Sequence, residues 1–220
     1  MTRLGAALAL GLLGLAAPAS ARAEGTATSA PAPAGELDAL FARFAAMPGL
    51  QARFAEDKQL SLLVTPLHSE GTIHFLRGRG VVVHTTSPTR QSTLVTDRQL
   101  VLWDGRTVRR VDLDASPSVA AFARAFTLLL GADREALERA FTLALQGRAD
   151  DGWTLRLVPV AAAARNVVAT IELEGKGLIL STLRIREANG DLSTMRFTGV
   201  DVQRRYTGAE ADRIFRVPPP

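Results

Sequence analysis

The chain has 220 residues, no cysteine, and 26 Lys and Arg against 22 Asp and Glu, for a net charge of +4. Without cysteine it can form no disulfide and cannot carry a lipid on an N-terminal cysteine, so its core must be stable without cross-links. The even charge balance argues against a nucleic-acid-binding protein, which usually has a clustered basic face.

Residues 1–23 are typical of an export signal. Arg3 supplies the positive start, and residues 4–17 form an apolar run that is followed by small residues suited to cleavage. The apolar run is too short for a convincing membrane span. We therefore expect cleavage after Ala23 and a mature protein in the periplasm.

The rest of the chain is expected to contain one domain. Residues 24–35 are dominated by Ala, Thr, Ser, Pro and Gly, a composition that cannot bury a core, and they are interpreted as a flexible leader. Residues 36–220 are long enough for a single domain with a sizeable core. An amphipathic helix is predicted over residues 36–47 and ends at Pro48-Gly49, before a strand-like alternation begins at Leu50.

Residues 71–88 contain two β-rich runs around Gly78-Arg79-Gly80 and predict an antiparallel hairpin. A turn at Gly78-Arg79 pairs residue 74 with 83 and residue 73 with 84. His74 and His84 are then expected on opposite faces of the sheet, where they cannot bind the same metal ion. We therefore expect no metal site.

Short strands without intervening helices predict an antiparallel meander, and the total is about ten or eleven strands. Asn189-Gly190 is the strongest hairpin signal in the chain. A final edge strand is predicted at residues 214–217. The other predicted strands cover residues 92–96, 100–103, 107–113, 153–158, 167–173, 178–186 and 192–200.

Two further helices are predicted in the middle of the chain, which makes three in all. One covers residues 118–130 after Ser116 as a cap and Pro117, and the other covers residues 134–145 after Asp133 as a cap. Each has an apolar face with helical spacing. These faces include Val119, Phe122, Phe126, Leu129, Leu137 and Phe141.

The sequence offers no convincing catalytic constellation. It has no G-x-S-x-G elbow, and the acid pairs Asp112/Asp114 and Asp150/Asp151 lie beside predicted turns, where solvated carboxylates are ordinary. Residues 175–177, Gly-Lys-Gly, precede no helix that could bind phosphate. We expect neither an enzyme nor a bound cofactor.

The apolar side chains of the strands leave two alternatives open. Three helices are few for about ten strands, which favours an incomplete cover or a hollow that binds a ligand. The same side chains could instead fill a solid core, as they do in small barrels.

The order of motifs along the chain resembles the LolA family, the periplasmic carriers of outer-membrane lipoproteins. An N-terminal helix and a Phe-containing first strand are followed by the run PLHSEGTIHFLR at residues 66–77. Ser87-Pro88, the V-x-D turn at residues 95–97 and the terminal FRVP at residues 215–218 complete the resemblance. It spans residues 36–220.

The resemblance implies an α+β, mainly β fold: an incomplete antiparallel β-barrel with a concave apolar face under a lid of helices. Its cavity would take acyl chains from an inner-membrane exporter and pass them to an outer-membrane acceptor, with the protein acting as a monomer. The two middle helices would form the lid. The residues expected to line the cavity are Phe54, Ile73, Phe75, Val81, Val83, Leu102, Trp103, Trp153 and Leu155.

Two departures from the family pattern concern the gate and the cargo. Arg77 matches the arginine that the family uses in lid gating, but Gly78 stands where proline is usual. Residues 117–146, 153–159 and 190–197 are more similar to divergent members that accompany lipid biosynthesis and export. The cargo is therefore expected to be a lipoprotein or, alternatively, a glycolipid or aryl-polyene-type lipid; a periplasmic scaffold with a solid core is the remote alternative.

Overall fold

The computed structural model describes residues 32–115 and 117–218, except for the side chains of residues 117, 118, 121 and 122. The predicted signal peptide, most of the leader and the proposed Ser116 cap lie outside this part of the chain. Within it, eleven strands form one antiparallel sheet. These strands are β1 (Gly49–Gln59), β2 (Leu67–Leu76), β3 (Gly80–Ser87), β4 (Gln91–Val95), β5 (Gln99–Trp103), β6 (Val108–Asp112), β7 (Phe141–Arg148), β8 (Gly152–Pro159), β9 (Val168–Lys176), β10 (Ile179–Glu187) and β11 (Leu192–Asp201).

The sheet is open, with β6 and β7 at its two edges, and β1 lies in the middle between β2 and β11. This arrangement fits the predicted incomplete β-barrel with accompanying helices. No helix within the described ranges is both long and apolar enough to cross a membrane. The described helices are α1 (Glu36–Ala46), α2 (Pro117–Leu130), α3 (Arg134–Ala140), α4 (Ala162–Arg165) and α5 (Gly208–Ile214).

The inner face of the sheet packs against α1, α2 and α3 in one large hydrophobic cluster. Side chains alternate along a strand, so Leu50, Ala52 and Phe54 of β1 share this face with Ile73 and Phe75 of β2. The helices contribute side chains that are fully excluded from solvent. These are Leu40 and Phe44 of α1, Leu129 and Leu130 of α2, and Leu137 of α3.

The outer face carries a second, smaller hydrophobic cluster under α5. Val82 and Val101 of the sheet contact Phe215 and Val217, which follow α5. The predicted edge strand at residues 214–217 is therefore wrong. Ala211 and Phe215 are four residues apart and meet on one side of a helical turn, and the side chain of Thr207 caps this helix through the amide of Glu210.

The second predicted middle helix is too long. Asp133 caps α3 as expected, but the helix ends at Ala140, and Phe141 begins β7 instead of belonging to the lid. Phe141, Leu143 and Leu145 fit a strand period as well as a helical one, and pairing with β8 decides between them. Their side chains join the inner-face cluster from the strand.

The β2–β3 hairpin differs from the predicted register by one residue. Leu76 pairs with Gly80 across a three-residue turn, so His74 faces Val82 and His84 faces Thr72. A shift of one residue moves a side chain to the other face of a sheet. His74 and His84 consequently share the outer face, with their ring centroids 6.0 Å apart, and the prediction of opposite faces was wrong.

The two histidines belong to a partly buried polar network under α5. His74 Nδ1 lies 3.1 Å from the Tyr206 hydroxyl, and His84 bonds the Ser92 hydroxyl and the Ile214 carbonyl oxygen, each at 2.8 Å. Burial, followed by the charges of His84 and Arg204, lowers the pKa of His74 to about 4. Burial also lowers the pKa of His84, against the opposing hydrogen bond to Ile214.

These histidines predict an acid-sensitive fold. The pKa of His74 is below its unfolded value of 6.5, so the unfolded chain binds the proton first and stability falls as pH decreases from 6.5 to about 4. A shift of this size is worth on the order of 3 kcal/mol at pH 4. In thermal unfolding across this range, His74→Gln should show a flatter pH dependence than the wild-type protein.

The control for this prediction is His68→Gln on the exposed surface. Hydrogen bonds to Asp57 and Glu70 raise the pKa of His68, which adds stability at low pH. Its replacement should leave the pH dependence unchanged or steeper. Equal pH dependence in wild-type protein and His74→Gln would contradict the assignment.

Candidate functional site

Arg77 connects the β2–β3 turn to two helices that cover the inner face. Its guanidinium donates to the carbonyl oxygen of Gly131, just past α2, and to those of Phe44 and Ala45 near the end of α1, at 3.3 Å each. The last carbonyl groups of a helix lack partners within the helix and form the negative end of its dipole. One cation thus serves two helix C-termini, an arrangement we call the Arg77 latch.

The turn that presents Arg77 depends on Gly78. Gly78 has a φ of 78°, in the left-handed region, which a proline with φ near −65° cannot adopt. The family resemblance leads one to expect a proline at this position. Because Gly78 replaces it, the turn adopts a backbone conformation that a proline would not allow. On its other side, Arg79 forms a 2.6 Å ion pair with Asp212 of α5, so the turn contacts helices on both faces of the sheet.

A cleft opens beside the latch and reaches the inner face. It contains about 630 Å³ of empty space, including space open to solvent. Its walls come from the turn at residues 77–80, from Thr96 and Asp97, and from the end of α2 through Asp133, with Phe75 also contributing. Movement of α2 would widen the cleft toward the apolar interior.

Most residues predicted to line a cavity lie together on the inner face. Phe54, Ile73, Phe75, Val81, Trp153 and Leu155 are buried in the main cluster, and Val83 is half-buried against it. The cross-strand partner of Leu102 is Thr93, itself opposite Val83, so Leu102 also faces inward and is half-buried.

Trp103 is an exception and does not lie on the inner face. It pairs with Ser92 and Val108 and packs against the outer cluster. Adjacent residues of a regular strand point to opposite faces, so Trp103 points away from the inner face that Leu102 shares. The assignment of Trp103 to the cavity is therefore wrong.

The predicted lid residues of α2 and α3 largely face the same interior. Leu129 and Leu137 are fully buried in the main cluster, and Phe126 packs against it while remaining partly exposed. Val119 is half-buried, and the side chain of Phe122 lies outside the described part of the chain. Apart from Phe141, these positions belong to helices above the sheet.

The inner face becomes charged toward the end of β1. Glu56 and Lys58 occupy the same alternating positions as Leu50, Ala52 and Phe54, and both are buried. Lys58 Nζ lies 2.8 Å from Glu187, while Glu56 accepts hydrogen bonds from the hydroxyls of Ser69, at 3.0 Å, and Ser193. A buried charge needs such partners, since removing one leaves an uncompensated ion.

The interior is therefore amphipathic along its length, with an apolar middle and a charged end. In the described residues, no three His, Cys, Asp or Glu side chains converge to form a metal site. Sequence reasoning missed the charged end, although polar residues at inward positions of β1 were a visible signal. It also missed the acceptors of the latch, because backbone carbonyl groups have no sequence signature.

Residues 29–213 match the family described as outer membrane lipoprotein carrier protein LolA-like, and the chain belongs to this family. A search of curated proteins found no match.

Solved structures with a similar fold share little sequence with the chain. A LolA superfamily protein from Nitrosomonas europaea is 12% identical, with a TM-score of 0.45 over 82% of this chain and 97% of that one. A putative outer membrane lipoprotein-sorting protein domain from Vibrio parahaemolyticus is 9% identical, with a TM-score of 0.47 and the same coverages, 82% and 97%. The MucA/MucB complex of Pseudomonas aeruginosa is matched at 13% identity and a TM-score of 0.42, over 80% of this chain and 58% of that one.

Arg77→Ala should loosen the attachment of α1 and α2 to the hairpin. The variant loses three hydrogen bonds of an exposed guanidinium, for which we expect a cost of about 1–1.5 kcal/mol. Hydrogen exchange of amides near residues 44–47 and 128–133 should become about tenfold faster.

Arg79→Ala is the matched control, because Arg79 lies in the same turn but pairs with Asp212 of α5. It should leave exchange in both segments unchanged. If the two variants affected α1 and α2 equally, the latch would have no specific role.

Proposed function

We propose that this protein is a periplasmic carrier that holds acyl chains of an outer-membrane lipoprotein or another lipid between its sheet and the α2–α3 lid. The main support is one observation: the apolar inner face of an open sheet is covered by separate helices, two of which are tied at their ends by Arg77. Membership in the LolA-like family agrees with this assignment.

The closed arrangement has a clear physical role in such a carrier. Each buried CH₂ contributes about 0.8 kcal/mol, so several acyl chains in a permanently open cavity would be released very slowly. Helices that occupy the same space when cargo is absent compete with the acyl chains and weaken net binding. The packed interior would then be the empty state of the carrier.

The composition of α2 is compatible both with packing against the sheet in the empty carrier and with contact to acyl chains in the loaded one. Arg124 is its only charged residue, and it forms a 2.7 Å ion pair with Asp114 outside the helix. Val119, Phe126 and Leu128 remain partly exposed even when the helix is docked. A helix with apolar residues on more than its buried face can exchange contacts with the sheet for contacts with acyl chains.

The division of the chain follows from the same proposal. Residues 1–23 would direct export and be removed, residues 24–35 would form a leader, and residues 36–220 would be the carrier domain. An inner-membrane exporter would load the protein and an outer-membrane acceptor would unload it. Binding and transfer of this kind need no catalytic residue.

Native mass spectrometry of protein purified from the periplasm tests this function and identifies the cargo class. Lipid extraction should recover a lipoprotein or, in the alternative reading, a glycolipid or aryl-polyene-type lipid. A protein that carries no lipid and takes up none when lipid is added would contradict carriage. This result would favour the alternative of a periplasmic scaffold. The packed inner face is compatible with the solid core of such a scaffold.

A charge on the lid should weaken uptake of acyl chains. Phe126→Asp places a carboxylate against the main cluster, where an acyl chain would have to bury it, and we expect at least a tenfold loss of affinity for a fluorescent fatty acid. The measurement is a titration of folded protein, with circular dichroism as the check on folding.

Arg139→Asp serves as the control for this titration. Arg139 is exposed on α3 and contacts Glu135 within the same helix, so its replacement should not alter uptake. Unchanged affinity in a folded Phe126→Asp variant would argue against a lid role for α2.

A further inference from the structure

Three exposed apolar side chains lie at the end of the sheet opposite the Arg77 latch. In the β1–β2 loop, Val64 is fully exposed and Leu62 is 64% exposed, and Val160 after β8 is 49% exposed. We call these three residues the apolar rim. Large apolar side chains that protrude singly are common, but a group at one end of a molecule is typical of an interaction site.

The strand register places the rim residues at the same end. One row of paired residues crosses the sheet from Lys58 of β1 through Ser193, Ile185 and Ile171 to Leu157 of β8. The β1–β2 loop and Val160 both follow directly beyond this row. The latch lies at the other end of β2, ten residues and roughly 30 Å away.

Hydrogen bonds to Asp191 fix the conformation of the loop that carries Leu62 and Val64. The backbone amide and the hydroxyl of Ser61 donate to Asp191 Oδ1 at 2.7 and 3.0 Å, and Asn189 donates to the other oxygen at 2.9 Å. Leu63 closes a turn by donating to the Leu60 carbonyl at 2.9 Å. The exposed side chains are therefore presented by an anchored loop.

The chemistry of the loop fits lipid better than protein. Residues 59–67, QLSLLVTPL, include no charged residue, no aromatic residue and no arginine, and the last two kinds dominate protein–protein hot spots. The carboxylate nearest to this segment, Asp191, is buried below the loop and accepts hydrogen bonds from Ser61 and Asn189. Lys58 and Glu187, the next charges on the inner face, are buried against each other. An uncharged aliphatic tip can enter the interfacial region of a bilayer without burying an ion.

We propose that the apolar rim inserts into the surface of a lipid bilayer and so presents this end of the protein to the membrane. A role of the rim in cargo exchange depends on the proposed carrier function, whereas its contact with the bilayer does not. The latch and the cleft beside it remain in water in this orientation. The partner of the rim is the lipid surface itself.

Flotation with vesicles of phosphatidylethanolamine and phosphatidylglycerol tests the rim directly. The full-length mature chain should float with the vesicles, and the double variant Leu62→Asp/Val64→Asp should reduce the bound fraction about tenfold or more, because it removes exposed aliphatic side chains and adds charge. Both positions are exposed, so the double variant should remain folded.

Ile179→Asp is the matched control. Ile179 is also an exposed aliphatic residue, at 47%, but it is the first residue of β10, at the opposite end of the sheet. Its replacement should leave flotation unchanged. Absence of flotation in the wild-type protein, or an equal loss in Ile179→Asp, would overturn the proposal and leave a protein as the occupant of the rim.

Insertion has its own readout through Val64→Trp and Ile179→Trp. Brominated lipids should quench the added fluorescence of the first variant and not of the second; equal quenching would contradict insertion by the rim. Uptake of a fluorescent fatty acid without vesicles separates this proposal from the carrier function. If the wild-type protein floats but takes up no fatty acid, the carrier function fails and bilayer contact by the rim is supported.

Discussion

The apolar inner face of β1 and β2 must be shielded from water, and the rest of the structure depends on how this is done. A sheet of eleven strands that does not close on itself cannot bury this face alone. Three helices, α1, α2 and α3, cover it and contribute fully buried side chains to one cluster. Because two of these helices are tied at their ends by Arg77, the largest hydrophobic contribution to stability is linked to a small polar contact.

The unequal size of these two contributions is what makes a movable cover physically reasonable. Burial of a single large side chain, worth about 1.5–3 kcal/mol, already matches all the hydrogen bonds of Arg77 together, and the inner cluster buries many such side chains. The latch cannot hold α2 against a ligand that replaces many apolar contacts. It can, however, favour one docking position when no ligand is present, and Arg79 braces the same turn against α5 through Asp212.

Alternation along the strands made much of this architecture predictable, and errors arose where alternation alone was insufficient. It gave the hairpins and placed Phe54, Ile73 and Phe75 on one face, but the three-residue turn after Leu76 reversed the predicted relation of His74 and His84. The apolar spacing around Phe141 is compatible with both a helix and a strand, and the pairing of this segment with β8 makes it a strand. The carbonyl acceptors of Arg77 depend on tertiary contact between distant helices, which local sequence patterns do not encode.

The polarity of the inner face also changes from one end of β1 to the other. The inner-facing side chains of this strand begin with Leu50 near the latch and end with the buried charges of Glu56 and Lys58. The uncharged loop that carries Leu62 and Val64 follows directly after the strand. An amphiphile aligned with this gradient would place its chains in the apolar middle and its polar group near the charged end. The polar group would then lie closest to the apolar rim, so the end that we assign to the membrane would also be the end at which the cargo headgroup enters and leaves.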